Sequence, residues 1–215
     1  MGPDLRSGAL IGLDIETTGL DTGLDRILSI AVFASEADQA VFAGPDEAGL
    51  IGSLQAWLSR RPASLVVGWG SGRFDCPMLR RRADTLGAGL ELSLILEPAP
   101  PQGPEPVPAT TDERYAARFG HHEHLDIAPA WRPWAKARGL SCGLKAVARA
   151  HGIEVVEVDR TRMLALTREE LIAYNLSDAR ATHRLALLLG DFAPSLAPGR
   201  GGQAAGARIA VGNSI

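Results

Sequence analysis

Two carboxylates stand two positions apart near the start of the 215-residue chain, in Leu13-Asp14-Ile15-Glu16-Thr17-Thr18-Gly19. An apolar run, Ala9 to Leu13, leads into them and a Thr-Thr-Gly turn follows. Side chains alternate faces along a strand, so Asp14 and Glu16 point the same way at a strand end. Two carboxylates placed side by side repel, and burial there raises their pKa values. A divalent cation between them relieves both penalties, and hard oxygen ligands suit Mg²⁺ or Mn²⁺. The plain structural alternative is a strand that runs into a polar turn.

Three further groups can complete such a site. Asp75 follows the glycine-rich stretch Gly68-Trp69-Gly70-Ser71-Gly72 and opens a helix expected over 77–86. Aspartate there also serves as a simple helix cap. Tyr174 and Asp178 lie four residues apart on a helix that starts with the capping box Thr167-Arg168-Glu169-Glu170. They therefore share a face. Leu171, Leu176, Leu185 and Leu188 mark that helix as largely buried, and a buried aspartate needs a partner. The competing reading of Tyr174 is a core aromatic with its hydroxyl at the surface. His121, His122 and His124 are close enough in sequence to chelate a transition metal, but they read as exposed loop.

The elements that must position these groups follow from periodicity. Strands are expected at 9–16, 26–34 and 39–43, forming an antiparallel meander. In the second, Ile27, Ser29, Ala31 and Phe33 occupy one face and Leu28, Ile30 and Val32 the other. A helix spans 45–60, from Leu50, Ile51, Leu54, Trp57 and Leu58 at helical spacing. The near-continuous apolar run 64–69 predicts a parallel strand covered on both faces. A short helix over 140–153 has Ser141 as candidate cap and stops at Gly152. The order β-β-β-α-β followed by helices predicts an α/β fold, a central mixed sheet flanked by helices.

Residues 1–192 are expected to form one domain, and Pro-rich residues 97–113 a disordered or polyproline-like insertion within it. The tail, 193–215, is expected to be disordered. Composition is ordinary for a globular protein, with 46% hydrophobic and 22% charged residues. No apolar run has membrane length and no basic-then-apolar leader opens the chain, so no membrane association is expected. Cys76 and Cys142 make neither a disulfide framework nor a zinc site and read as free thiols of a cytoplasmic protein. A net charge of −3 argues against a strong nonspecific nucleic-acid binder. It leaves room for an enzyme that holds nucleic acid in a local groove beside its own carboxylates.

Taken together, Asp14-Ile15-Glu16, Phe74-Asp75-Cys76-Pro77 and Tyr174-Asn175-Leu176-Ser177-Asp178 resemble the three motifs of the DEDD superfamily of 3′–5′ exonucleases, in its tyrosine-bearing (DEDDy) branch. Ala173 occupies the position where the histidine-bearing branch has its histidine. His124-Leu125-Asp126 and Ser141 to Lys145 extend the likeness to stand-alone bacterial domains of ribonuclease H-like fold, over residues 9–190 without the Pro-rich insertion. The resemblance implies hydrolysis of DNA or RNA from the 3′ end by in-line attack of water. Two Mg²⁺ or Mn²⁺ ions about 3.5–4 Å apart would stabilise the attacking and leaving oxygens. It further implies that Asp14, Glu16, Asp75 and Asp178 are the metal ligands and that Tyr174 orients the water. Arg80, Arg81, Lys145 and Arg149 are candidate phosphate contacts, and Asp126 is read as structural. One departure stands out: Trp69-Gly70-Ser71 replaces a Tyr-Asn-Gly pattern, so a substrate contact of that asparagine is missing. The alternatives are a catalytically inactive nucleic-acid-binding or scaffold domain, and an endonuclease on the same fold.

Overall fold

A computed structural model of the protein describes residues 10–97 and 113–189. The tail and all but the ends of the expected insertion lie outside the described residues. The elements are β1 (Leu10–Thr17), β2 (Ile27–Ser35), β3 (Asp38–Ala43), α1 (Glu47–Ser59), β4 (Leu65–Gly68) and α2 (Asp75–Leu86). They continue with β5 (Leu92–Leu96), β6 (Tyr115–Phe119), β7 (His122–Asp126), α3 (Ala128–Lys136), α4 (Leu144–Ala150), a 3-10 turn (Arg160–Ala165) and α5 (Arg168–Leu188). The strands form one seven-stranded sheet in the order β3-β2-β1-β4-β7-β6-β5. β1, β4 and β7 run parallel at its centre, and the meander β1-β2-β3 and the strands β5 and β6 add antiparallel pairs outside them.

Alternation along β1 divides the molecule into two cores. Ile11, Leu13 and Ile15 point to one face, where Ile51 and Leu54 of α1 and Met78 and Leu79 of α2 cover them. On the other face, Val67 of β4 packs with Ile127, Trp131, Val147 and Leu185 from the α3–α5 side. Ala31 and Phe33 of β2 meet Ala179 of α5 there. Asp14 and Glu16 are even-numbered, so they fall on the α5 face.

The meander, the parallel β4 and the capping box of α5 are as the sequence predicts. Thr167 Oγ1 accepts from the Glu170 N–H at 3.2 Å, and Glu170 Oε2 accepts from the Thr167 N–H at 2.8 Å. Several expectations are corrected. A register shift beside Glu16 and Thr17 moves Ile27 off the face of Ser29 and into the α1–α2 core. Asp75 is the first residue of α2 and not its cap; Phe74 holds the cap position with no side-chain bond. Gly143, not Ser141, caps α4, and Ser141 Oγ accepts from the Gly143 N–H. Leu188 is 54% exposed and Leu171 and Leu176 are half-buried. The buried stripe of α5 is instead Tyr174, Asp178, Thr182 and Leu185 with Asn175 and Ala179.

Arg82 of α2 turns inward. Its guanidinium makes two bonds to Glu47, at 2.8 and 2.7 Å, while Glu47 Oε1 also accepts from the Ile27 N–H. Burial opposes the charge on Glu47, but those bonds win and hold its carboxyl below the usual range. The pair fastens both helices to the start of β2.

Candidate active site

β1 and α5 bring three carboxylates together. One oxygen from each of Asp14, Glu16 and Asp178 lies within 4.8 Å of the others. Gly12 permits this approach. A Cβ at that position would sit 2.1 Å from the Ala179 carbonyl oxygen and 3.0 Å from the His183 Cβ, so only glycine lets α5 rest on β1 here. Asp178, one residue before Ala179, is thereby set against Asp14, two residues after Gly12.

Asp75 reaches the group from α2. Its backbone turn is anchored by β7: Asp126 Oδ1 accepts from the N–H groups of Gly70 (2.8 Å) and Ala128 (3.1 Å). His124 Nε2 lies 2.9 Å from Ser71 Oγ and 3.5 Å from Cys76 Sγ. Burial drives the His124 pKa down to about 4, so the ring is neutral at pH 7. Asp126 thus does the structural work expected of it, and its charge also bears on Asp75. Gly70 has φ +73, a value asparagine tolerates, and nothing stands within 4 Å of where its Cβ would lie.

The electrostatics follow from burial and crowding. The Asp14 carboxyl is pushed well above the usual range by burial first, then by Asp178, Glu16 and Asp75, with Lys145 acting in the opposite direction. Burial, Asp126 and Glu16 push Asp75 up in the same way. Asp14 Oδ2 and Asp75 Oδ2 are buried with no hydrogen-bond partner among the described residues. Crowded, shielded carboxylate oxygens of this kind fit a hard divalent cation.

Tyr174 is completely buried, one turn ahead of Asp178, so its hydroxyl does not sit at the surface. Lys145 Nζ lies 4.0 Å from the centre of its ring. That ammonium donates to Asp178 Oδ1 and to the Val156 carbonyl, both at 2.6 Å. The sequence marks this lysine as a candidate phosphate contact; in the fold it is instead engaged by a carboxylate 33 residues away. The remaining candidates disperse. Arg149 pairs with Glu157, and Arg80 bonds Asp84 and the Leu92 carbonyl. His121 and His122 contact the Arg61 and Leu58 carbonyls just past and within α1, so the three histidines do not converge on a metal.

A groove of about 830 Å³ opens between α5 and the irregular segment 152–156, on a different face of α5 from Tyr174 and Asp178, and none of the site carboxylates lines it. Arg149, Val156, Ala173, Ser177 and Arg180 are among the residues that line it. The loop leaving β1 is tied by Asp25, which accepts from Thr18 Oγ1 at 2.7 Å and from the Asp21 N–H at 2.8 Å.

The chain is similar in structure to the family B DNA polymerase from the hyperthermophilic archaeon Pyrobaculum calidifontis. The TM-score is 0.63 at 22% identity, over 84% of this chain and 24% of the polymerase. It thus spans about a quarter of that polymerase's length, and the likeness is one of fold. Curated protein sequences give no match. A sequence model described as the RNase_H superfamily matches residues 11–166, which include the whole sheet apart from its first residue, together with Asp14, Glu16 and Asp75. The match ends just before the cap of α5, and the structure adds the helix that supplies Asp178. On that matched sheet and its mixed strand order, the chain belongs to the RNase H superfamily.

Proposed function

We propose that this domain is a metal-dependent 3′–5′ exonuclease of the DEDDy type, acting on DNA or RNA. The observation that carries the reading is the convergence of Asp14, Glu16 and Asp178 within 4.8 Å, with Asp75 beside them and Tyr174 one turn ahead of Asp178. RNase H-like nucleases use divalent metal ions, and these carboxylates are the residues that would hold Mg²⁺ or Mn²⁺. The bound cation would supply charge neutralisation at the phosphodiester and acidify a water.

The chain's own groups do the rest. Tyr174 would position the attacking water through its hydroxyl. Its reference pKa near 10 makes it an orienting group and not the base. Lys145 offsets part of the cluster's charge from behind Asp178. Residues 1–192 would act as one catalytic domain.

The test is digestion of 5′-labelled single- and double-stranded DNA and RNA with Mg²⁺, Mn²⁺ or EDTA, beside D14N. A ladder that shortens from the 3′ end, requires metal and is absent in D14N is the expected result. Intact substrate under every condition would favour an inactive binding domain. Internal cuts would indicate an endonuclease.

A further inference from the structure

Buried polar side chains are nearly always hydrogen-bonded. Two beside the carboxylates are not. Asn175 is completely buried, and neither its Nδ2 nor its Oδ1 has a hydrogen-bond partner among the described residues. Ser29 is completely buried as well, and its Oγ has none.

Topology brings both to Glu16. Ser29 is the register partner of Glu16 across β1 and β2, so the two side chains share a face. α5 covers that face and runs antiparallel to β1. Arg168 reaches the Ala43 carbonyl near its start, and Ala179 and His183 lie over Gly12 further on. Ala179 packs on Ala31, the neighbour of Ser29 two residues on. Asn175, one turn before Ala179, therefore lies over the row Glu16–Ser29–Ala43.

We infer that Asn175 and Ser29 hold an enclosed water against the Glu16 carboxylate and so fix its orientation toward the cation site. A buried water needs two to four polar partners. The carboxamide offers donors and an acceptor, the hydroxyl one of each, and the carboxylate further acceptors. Neither Asn175 nor Ser29 changes charge with pH, so the support is constant while the carboxylates titrate. Asn175 is a positioning residue, and the inference rests on the metal-dependent reading above.

Mn²⁺ affinity, measured by calorimetry on the wild type, N175L, S29A and the double variant, decides it. Leucine fills the space of the carboxamide without its polar atoms, and loss of the shared water should lower the melting temperature modestly without unfolding the protein. N175L should bind Mn²⁺ about 10–100-fold more weakly, the range seen for groups that orient metal ligands. S29A should weaken binding in the same direction, and the double variant should be no worse than N175L. On an oligonucleotide, kcat should fall with KM unchanged. If N175L and S29A both bind Mn²⁺ as tightly as the wild type, the inference is overturned. If N175L does not fold, S29A alone gives the answer, by weakened or unaltered affinity. A wild type that binds no Mn²⁺ overturns the metal-dependent reading itself, and this inference with it.

Discussion

Lys145 of α4 donates to Asp178 of α5 at 2.6 Å, joining the one cation near the cluster (among the described residues that act on Asp14) to one of its three carboxylates. Both side chains are largely buried, 14% and 5% exposed. Removing one member of such a pair leaves an uncompensated charge. K145M should therefore destabilise the protein in EDTA by about 2–3 kcal/mol at pH 8, at or below the lower end of the range for buried pairs because the lysine keeps some solvent exposure. Saturating Mg²⁺ should shrink that loss. Urea melts in both buffers check it, and equal losses would mean that the ammonium does not serve to neutralise Asp178.

The raised Asp14 and Asp75 carboxyls predict how metal and pH interact. A group whose folded pKa lies above its unfolded value binds a proton in the folded state that the unfolded chain has released. Stability then falls as pH rises through that window. These two groups should cost the metal-free protein stability as pH rises above the usual carboxylate range, and the rise in melting temperature on adding Mg²⁺ should be larger at pH 8 than at pH 6.5, where the histidines described below no longer contribute. D14N should be as stable as the wild type or more so in EDTA, gain little from Mg²⁺, and lose at least about 1,000-fold in turnover, roughly 4 kcal/mol of barrier. A thermal-shift series over pH with both proteins tests each part.

Gly12 predicts a steric lesion with a functional reading. G12A places a methyl 2.1 Å from a backbone oxygen of α5, and overpacking of this kind costs about 1–3 kcal/mol. The shift must carry Asp178 away from Asp14, so Mn²⁺ affinity should fall as well. G52A is the control: Gly52 lies within α1 with open space around its Cβ position, and alanine there should stabilise by roughly 0.5–1 kcal/mol. Unaltered Mn²⁺ affinity in G12A would show that the helix can accommodate the methyl without moving its aspartate.

Acid should loosen the support of Asp75 before it affects most of the core. His124 and His183 have folded pKa values of about 4, both held there first by burial, against 6.5 unfolded. Between those limits the unfolded chain binds the extra proton, so stability falls as pH drops from 6.5 to 4. The gap corresponds to on the order of 3 kcal/mol per histidine. H124Q should lose about half as much as the wild type from this source. Coincident curves for the two proteins over that window would exclude His124.

Much of this was readable in the residues because local signals and global fold agree there. The Asp14–Glu16 pair, the apolar runs of β1, β2 and β4, and the Thr167–Glu170 box all carry short-range patterns that the tertiary structure keeps. β5, β6 and β7 were missed: each is only five residues long, the Pro-rich stretch separates β5 from β6, and the histidines of β7 read as exposed loop although His122 is buried. The helix of Trp131 and Trp134 was missed because Pro129 and Pro133 obscure its period. Leucine content misjudged which face of α5 is buried, because polar residues line the site: Asn175, Asp178 and Thr182 are covered while Leu187 and Leu188 face outward. The long-range pairings Arg82–Glu47 and Lys145–Asp178 depend on side chains 35 and 33 residues apart, which no local spacing encodes.

The contact at Gly12 and Ala179 also orders events in time. β1, with two carboxylates on one face, is separated by 150 residues from the helix that covers it, so in synthesis it must wait for that helix. Among the described residues, a nascent chain that ends at Leu166 has every strand of the sheet and four of the five α-helices, yet lacks the third carboxylate. Completion of the charge cluster is therefore coupled to docking of the last described helix, so that convergence of its three carboxylates reports that this part of the chain has finished folding.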